Sequence, residues 1–496
     1  MPLYLVSVCR MIIIEPQIVR GVMQVNQFGD LQRIHFIGIG GIGMSGIAQV
    51  LFHHGYTISG SDIAENAITR NLIAMGIHVS YQHTKDNLAH VDVVVVSSAI
   101  SRDNEEWLYA EKQGIPVLSR AEMLAELMRF KCGIAVSGTH GKTTTTSLIA
   151  HIFKTAQLDP TYVIGGVVNS TAKNADCGGG QYLITEADES DASFVALNPM
   201  LTVVTNIDDD HMQTYAGDSA TQDESFLEFI HKVPFYGYAV LCGDDRRLQA
   251  LMPHIARQYV KYGVEPDQDF RAIDIEYTGM RTTFTVERQQ KPPLRITLNM
   301  PGRHNVLNAL AAIAVASICK IADMHVCAAL ESFGGIGRRF QIMGQYAYQA
   351  KHFTLVDDYG HHPTELRATI ATARQVFPHR PMLMIFQPHR YSRTAELWQE
   401  FVSALGQVDQ LILLDIYPGS EAPLPGIDSM HLAEAIARSA GIPVNYSTEA
   451  GLYDRLCQQL TDEMVVLCQG AGSVSRICRQ LATQIERHAM VLDQES

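Results

Sequence analysis

The stretch SGTHGKTT, residues 137–144, follows an apolar run at 132–136 and leads into a helical pattern. Glycines in such a turn let backbone N–H groups converge on phosphate oxygens, and the following helix directs its positive end at the same charge. Lys142 is then expected to meet the β- and γ-phosphates of a nucleotide, and Thr143 to ligate Mg²⁺. The two glycines enclose two residues, whereas those of the usual P-loop enclose four. The sequence therefore predicts a shortened phosphate loop between a strand and a helix.

Composition limits the classes of protein that this chain can represent. At 496 residues it is long enough for about three domains of roughly 150 residues each. Its 47% hydrophobic and 18% charged residues are typical of a globular protein. The net charge of −14 argues against a general nucleic-acid or membrane surface, so an anionic substrate must be bound by local clusters. The nine cysteines include no CxxC pair and favour reduced thiols in a cytoplasmic protein.

Residues 1–30 differ from the remainder of the chain. An apolar run at 11–14 is flanked by Arg10 and Glu15, and no small-residue cleavage site follows it. This pattern fits neither a signal peptide nor a membrane anchor. We therefore expect a poorly ordered extension, with Met23 as a candidate start of the native chain.

A second glycine-rich loop, GIGGIGMSG at residues 38–46, lies between a strand pattern at 34–37 and a helix predicted over 47–53. This is the GxGxxG pattern in its strand–turn–helix setting. A further predicted strand, 56–60, ends near Asp62, where a Rossmann fold places the acid that binds a ribose. These features predict a nucleotide diphosphate site on an α/β domain.

Two later strand patterns each end in a cluster of carboxylates. The first, 182–185, leads into EADESD at 186–191, and the second, 201–207, leads into DDDH at 208–211. Because the carboxyl ends of parallel strands meet at one sheet edge, both clusters should face the phosphate loop. Carboxylate oxygens suit Mg²⁺, which shares its ligands with substrate phosphates. A nicotinamide-dependent oxidoreductase or a nonenzymatic nucleotide-binding module remains an alternative, but neither uses these clusters.

The chain resembles the Mur ligase family, and specifically its L-alanine-adding branch, from residue 34 to the C-terminal region. Several independent motifs in one order are far more specific than any single motif. Those that carry the resemblance are GIGGIGMSGIA at 38–48, GTHGKTT at 138–144, EADESDASF at 186–194, NIDDDH at 206–211, GRHNVLN at 302–308, RRF at 338–340, DDYGHHP at 357–363 and FQPHRYSR at 386–393.

The resemblance implies an α/β fold of three domains. A Rossmann-like N-terminal domain, 31–130, would bind a UDP sugar. A central P-loop-type ATPase α/β domain, 131–337, would bind ATP, and a Rossmann-like C-terminal domain, 338–496, would close over the amino acid. The sequence itself agrees with these divisions, because GGIG at 334–337 suits a hinge. Beyond the hinge, helical patterns alternate with apolar runs at 382–386, 411–415 and 464–468.

The family resemblance also implies an activity, that of an ATP-dependent ligase in cytoplasmic peptidoglycan precursor synthesis. Its substrates would be UDP-N-acetylmuramate, L-alanine and ATP. The lactyl carboxylate would attack the γ-phosphoryl group to give an acyl phosphate and ADP, and the amine of L-alanine would then displace phosphate. We expect no nucleic-acid or membrane partner, and a monomer or homodimer. A ligase that recycles a tripeptide onto the same UDP sugar is an alternative, which the form of the 38–46 loop disfavours.

Roles for individual residues are implied in the same way. The catalytic residues would be Lys142, Glu186, His211, Asn305, Arg339 and Asp358. ATP would be bound by Gly138, Thr139, His140, Gly141, Lys142, Thr143, Thr144, Asn305, Asn308 and Arg339. The UDP sugar would be bound by Gly38, Gly40, Gly41, Gly43, Met44, Ser45, Asp62 and Ser97. The amino acid and the closing domain would involve Tyr359, His361 and Arg390.

Two Mg²⁺ ions are implied, one at Thr143 and Glu186 and the other at Glu186 and His211. Histidine is an unusual Mg²⁺ ligand, so His211 rests on the resemblance more than on metal chemistry. Several relatives hold the second ion with a carbamylated lysine, and the segment 225–232 offers no lysine that aligns there. This departure leaves the ligand set of the second ion open.

Overall fold

The computed structural model describes residues 28–168, 173–289, 291–419 and 421–495. Its strands form three sheets that follow one another along the chain. The first sheet contains β1 (Arg33–Ile37), β2 (Thr57–Ser61), β3 (His78–Ser80), β4 (Val93–Val96) and β5 (Val117–Ser119). Its helices are α1 (Ile42–His53), α2 (Ala67–Ala74), α3 (Glu105–Gln113) and α4 (Arg120–Met128). Short 3₁₀ helices in the chain lie at Lys85–Leu88, Ser193–Ala196, Met212–Tyr215 and Met252–His254.

All strands of the first sheet are parallel, in the order β3-β2-β1-β4-β5. The strand order reverses between β1 and β4, where ligands of doubly wound sheets bind. The first glycine-rich loop leaves β1 at this point. A Cβ atom on Gly38 would lie 3.0 Å from the Cβ of Ser97, which follows β4. The sequence therefore places glycine where two loops meet at the switch point.

Helix α1 begins at Ile42, five residues before the predicted start at 47. Two glycines of the loop consequently lie inside the helix. A Cβ on Gly46 would lie 2.9 Å from Val163 Cγ1 and 3.2 Å from Ala175 Cβ, both in the central sheet. Glycine at this position lets the helix pack closely on the neighbouring domain, which the local pattern does not reveal.

The central sheet has the order β15-β14-β13-β12-β11-β10-β6-β9-β7-β8. Its strands are β6 (Cys132–Ser137), β7 (Thr161–Val168), β8 (Lys173–Asp176), β9 (Tyr182–Glu186), β10 (Leu201–Val204), β11 (Tyr238–Cys242), β12 (Tyr259–Gly263), β13 (Phe270–Thr278), β14 (Arg281–Arg288) and β15 (Lys291–Leu298). Its helices are α5 (Lys142–Thr155), α6 (Ser219–His231), α7 (Arg246–Leu251), α8 (Arg303–Ile318) and α9 (Asp323–Ser332). Strand β6 pairs in parallel with β10 and β9, so the two acidic segments flank the phosphate loop.

The third sheet has the order β16-β17-β21-β18-β19-β20 and is parallel except at its β16 edge. Its strands are β16 (Gln341–Tyr348), β17 (Lys351–Asp358), β18 (Met382–Phe386), β19 (Gln410–Leu413), β20 (Val444–Tyr446) and β21 (Met464–Gln469). Its helices are α10 (Pro363–Val376), α11 (Tyr391–Glu396), α12 (Trp398–Leu405), α13 (Ser429–Ala440), α14 (Leu452–Gln459) and α15 (Val474–Glu495). The predicted α/β class of three sheets with covering helices is confirmed.

The hydrophobic cores show how the three sheets are joined. One cluster of buried side chains runs through the first and central sheets, from Phe36 and Ile47 to Ile134 and Phe284. The third sheet has separate clusters on its two faces. The connecting segment carries left-handed backbone at Gly335. The first two sheets thus form one packed body to which the third is attached, while the exact domain boundaries stay a prediction.

Residues 1–27 of the predicted extension, 1–30, lie outside the part of the chain that the structure describes. Phe28 packs against Tyr56, with ring centroids 5.2 Å apart. Among the described helices, none combines the length and apolar character that a bilayer crossing requires.

Candidate active site

The phosphate loop joins the end of β6 to the start of α5, and its shape depends on two glycines. Gly138 has a φ of +120°, and a Cβ there would clash with the side chain of Thr205 and lie 2.9 Å from Asn206 O. Gly141 has a φ of +85°, and a Cβ there would lie 2.5 Å from Asn308 Oδ1. The amide of Asn206 also accepts a 2.8 Å hydrogen bond from the N–H of His140. The loop is therefore pressed against its neighbours in a form that only glycine permits.

Lys142, at the first position of α5, is surrounded by acceptors. Its Nζ donates to Gly138 O at 2.7 Å, to Thr139 O at 3.2 Å and to Glu189 Oε1 at 2.8 Å. Burial raises the pKa of Glu189 to about 7, even though Lys142 opposes the shift. The ammonium thus lies at the N-terminus of a helix, a position that favours anions, while its contact with phosphate oxygens stays a prediction.

Thr143 and Glu186 offer adjacent oxygen atoms beside the loop. The Thr143 hydroxyl is hydrogen-bonded to Glu186, whose Oε1 also accepts from the N–H of Gly165 at 2.7 Å. Burial raises the pKa of Glu186. These oxygen donors fit Mg²⁺, which favours oxygen ligands and would stabilise the buried carboxylate. His211 lies close enough to Asp188 and Lys142 to feel their charges, and burial lowers its pKa, so that its neutral ring keeps a lone pair.

Lys232, the lysine of the segment 225–232, follows α6 and pairs with Glu228 at 3.1 Å. It therefore forms a helix-surface ion pair, in agreement with the sequence-based expectation.

A cavity of about 510 Å³ opens between the central and third sheets beside the loop. Asn305 and Asn308 at the start of α8 line one wall, and Arg339 and Asp358 from the third sheet line the other. Asp358 is fixed by hydrogen bonds from Phe340 N and Gly360 N, at 2.9 and 2.8 Å. The cavity brings together four residues that the sequence places near the nucleotide, and its size suits a small molecule.

Helix α1, which follows the first glycine-rich loop, packs on β7 and β8 of the central sheet. The N–H of Gly40 donates to Asp62 Oδ2 at 2.8 Å, so Asp62 lies at the first loop as expected. Met44 and Ser45 are 2% and 0% exposed, so their side chains are buried beneath α1. At these two positions, backbone groups are what remains to face a ligand. The predicted positions Gly41 and Gly43 lie at the start of this helix.

The residues predicted to contact the amino-acid substrate lie in loops that follow strands of the third sheet. Two arginines, Arg338 and Arg339, stack on Tyr359, with the guanidinium carbons 4.6 and 5.2 Å from the ring centre. Burial lowers the pKa of His361 to about 3, so the ring is neutral. Arg390 has a φ of +71° and precedes α11. These residues share the edge of the third sheet that faces the central sheet.

Two sets of polar contacts join the third sheet to the central one. Arg393 on α11 binds Asp210, with Nε and Nη2 at 3.0 and 2.9 Å from Oδ1, and both side chains are buried. Thr364 on α10 donates to Asp208 Oδ2 at 2.6 Å. The acidic segment 208–211, which follows β10, is therefore contacted by two helices that cover the third sheet.

The models of the Mur ligase family match three consecutive parts of the chain: the catalytic domain at 33–132, the middle domain at 136–316 and the glutamate ligase domain at 338–472. The chain is 49% identical over 457 residues to a UDP-N-acetylmuramate–L-alanine ligase of Hydrogenovibrio crunogenus, covering 92% of this chain and 99% of that protein.

The chain belongs to the Mur ligase family.

Solved Mur ligase structures agree with this assignment. The UDP-N-acetylmuramate-alanine ligase of Thermotoga maritima is 29% identical, with a TM-score of 0.77 over 92% of this chain and 99% of that one. A murein peptide ligase of Psychrobacter arcticus is 23% identical, with a TM-score of 0.67 over 92% and 98% of the two chains, and shares the fold. The family resemblance predicted from the motifs is confirmed.

Sequence reasoning missed three polar residues of this Mur ligase site. Glu189 pairs with Lys142, Arg393 pairs with Asp210, and Arg120 lies 3.7 Å from Asp188. Glu189 and Arg393 lie inside quoted motifs, so their position within those motifs was a usable signal. Arg120 has no such signal, because the first and central sheets bring it to the carboxylates only in the folded chain.

Proposed function

We propose that this Mur ligase joins L-alanine to the lactyl carboxylate of UDP-N-acetylmuramate at the expense of ATP. The observation that carries the choice of L-alanine is the 49% identity to a UDP-N-acetylmuramate–L-alanine ligase over nearly the full length of both proteins. The geometry supports the reaction class, because a phosphate loop, buried carboxylates and an interdomain cavity lie together. We propose the cytoplasm as its location, where such precursors are made.

The chemistry requires activation, because a carboxylate oxygen is a poor leaving group. A lactyl carboxylate oxygen attacks the γ-phosphorus of ATP, the bond to the β-γ bridging oxygen breaks, and ADP leaves. The neutral amine of L-alanine then attacks the carbonyl carbon of the acyl phosphate, and inorganic phosphate leaves. The amine loses one proton in forming the amide. Catalysis of these steps depends mainly on positioning and on neutralising charge.

The described residues supply both requirements. Lys142 is proposed to neutralise the β- and γ-phosphates, and Arg339 to meet the nucleotide from the third sheet. Thr143 and Glu186 are proposed to hold Mg²⁺, with His211 near a second ion. The bound metal would neutralise phosphate charge and orient the transferred group. We propose the first glycine-rich loop with Asp62 as the site of the UDP moiety.

The experiment that tests this function measures phosphate release from ATP with UDP-N-acetylmuramate and Mg²⁺. The acceptors compared are L-alanine, the tripeptide L-alanyl-γ-D-glutamyl-meso-diaminopimelate and none, and Lys142→Ala serves as the inactive control. We expect release that depends on L-alanine and is lost in the variant. Release that depends on the tripeptide would assign the recycling reaction instead, and no release with any acceptor would refute the ligase function.

A further inference from the structure

His140 occupies an unusual position within the phosphate loop. Its Nε2 lies 3.1 Å from Asp208 Oδ2 in the central domain, and its Nδ1 lies 3.4 Å from Glu365 Oε1 on α10 of the third. Burial works against the charged ring, but the hydrogen bonds and charges of the two carboxylates outweigh it and raise the pKa of His140 to about 9. At neutral pH the ring is therefore an imidazolium with one N–H directed at each domain.

The contacts continue beyond His140 on both sides. Asp208 Oδ2 also accepts from the Thr364 hydroxyl, at the second residue of α10. Glu365 Oε1 lies 3.7 Å from Arg339 Nη1, a residue that lines the cavity. A chain of ion pairs and hydrogen bonds thus runs from the phosphate loop to the cavity wall contributed by the third domain. Its charge-assisted hydrogen bond, between His140 and Asp208, is of a kind that is stronger than a neutral one and depends on direction.

We propose that His140 is a positioning residue, whose imidazolium latches the phosphate loop to the first turn of α10 and so couples closure of the third domain to the placement of the loop. The latch consists of His140, Asp208, Thr364 and Glu365. The catalytic consequence rests on the proposed ligase function, whereas the latch itself is a property of the chain. When the third domain opens, His140 loses Glu365, and the loop is no longer held on that side.

One competing use of the same residues is a metal site. His140, Asp208 and His362 offer ligand atoms that all lie within 4.8 Å of one another. A metal needs the lone pair of a neutral ring, which an imidazolium lacks. The two carboxylates facing His140 favour its charged form, and the geometry therefore favours the latch. The metal site becomes an outcome of the test.

The test compares His140→Asn, Glu365→Gln and the double variant with wild type. His151→Asn is the matched control, because His151 lies on α5 of the same domain and its contacts are with Ser332, 3.3 Å from its Nε2, and with the ring of Phe333, 5.4 Å away between centroids. Two properties are measured: kcat for phosphate release with L-alanine, and the radius of gyration by small-angle X-ray scattering with a nonhydrolysable ATP analogue and Mg²⁺. UDP-N-acetylmuramate affinity is measured in parallel.

We expect each single variant to lower kcat about tenfold, as the loss of one charged hydrogen bond implies. The kcat of the double variant should be no lower than that of the less active single variant, because both changes break the link between His140 and Glu365. The affinity for the UDP sugar should be unchanged, and the analogue-bound variants should be more expanded than wild type. His151→Asn should match wild type in every measurement.

The pH profile separates a latch from a simple packing role. The groups that face His140 are Asp208, Glu365 and His362; the pKa of each carboxyl is held below its usual range, and burial lowers the pKa of His362. His140 is then the group that loses its charge near pH 9, so wild-type kcat should fall as pH rises through that value. In Glu365→Gln this fall should move to lower pH, and in His140→Asn it should disappear.

Multiplicative effects of the two single variants, or variants as compact as wild type, would overturn the proposal. In one further arm, wild type is treated with EDTA and only Mg²⁺ is then restored. If the analogue-bound protein no longer becomes compact, the proposal is overturned in favour of a transition-metal site. A wild-type protein without L-alanine-dependent phosphate release would refute the ligase function, while the scattering comparison would still decide whether the latch exists.

Discussion

Replacing Lys142 with methionine removes the cation that faces a buried carboxylate. Lys142 Nζ lies 2.8 Å from Glu189 Oε1, and Glu189 is only 2% exposed. Its Oε2 has no hydrogen-bond partner among the residues described. Methionine keeps most of the side-chain length and removes the charge. The variant therefore tests whether Lys142 keeps Glu189 ionised in the folded protein.

The expected effect depends on pH. With Lys142 present, the pKa of Glu189 is raised from its ordinary value of 4.5 to about 7. A raised pKa in the folded state means that stability falls as pH rises from about 4.5 to 7 and is constant above. Without Lys142 the folded pKa rises beyond 7, so stability continues to fall. The variant's deficit should thus grow by about 1.4 kcal/mol for each pH unit above 7, until the carboxyl ionises.

The assay is urea unfolding of wild type and Lys142→Met at several pH values between 6 and 9, without nucleotide. The double variant Lys142→Met/Glu189→Gln is the control, because it lacks the titrating carboxyl and should show a deficit that does not change with pH. A single variant with the same deficit at pH 6 and pH 9 would refute the reasoning. So would a double variant that retains the pH dependence.

Four further changes have definite expected outcomes. Gly138→Ala should weaken ATP binding roughly 100-fold in calorimetry, because its Cβ clashes behind the loop, whereas Gly55→Ala, at positive φ in open space, should leave binding unchanged. EDTA should abolish phosphate release, and Thr143→Ala should raise the Mg²⁺ concentration for half-maximal release about tenfold; an unaltered requirement would contradict this ligand assignment. Arg393→Met should lower the free energy of unfolding by about 3 kcal/mol at pH 7, because it leaves the buried Asp210 carboxylate without its guanidinium partner. The pKa of Asp210 is held below its ordinary 3.8, so this deficit should shrink in urea unfolding below that pH, and an equal deficit at both pH values would count against it.

Local patterns predicted the elements that carry the loops. The apolar run 382–386 coincides with β18, and the run 132–136 with all but the last residue of β6. Both strands are buried along their length, and buried parallel strands read as continuous apolar runs. Strands β13 to β15 were missed, although residues 270–288 alternate apolar and polar side chains over much of their length. This period of two is the pattern of a half-buried strand.

The contacts between domains were beyond local patterns. The pairing of Arg393 with Asp210 joins residues 183 positions apart, and that of Thr364 with Asp208 joins residues 156 apart. Sequence order places each partner near a strand end but does not determine how two separately folded sheets face each other. The motifs predicted which residues belong to the site, and the structure shows which of these side chains touch one another.

The most direct test of the ligase mechanism follows an oxygen atom. UDP-N-acetylmuramate labelled with ¹⁸O in its lactyl carboxylate is incubated with ATP, Mg²⁺, L-alanine and the protein, and the released phosphate is analysed by mass spectrometry. The account predicts one ¹⁸O atom in each phosphate, because a carboxylate oxygen bridges to phosphorus in the acyl phosphate and leaves with it. Unlabelled phosphate, or label recovered in AMP, would contradict it.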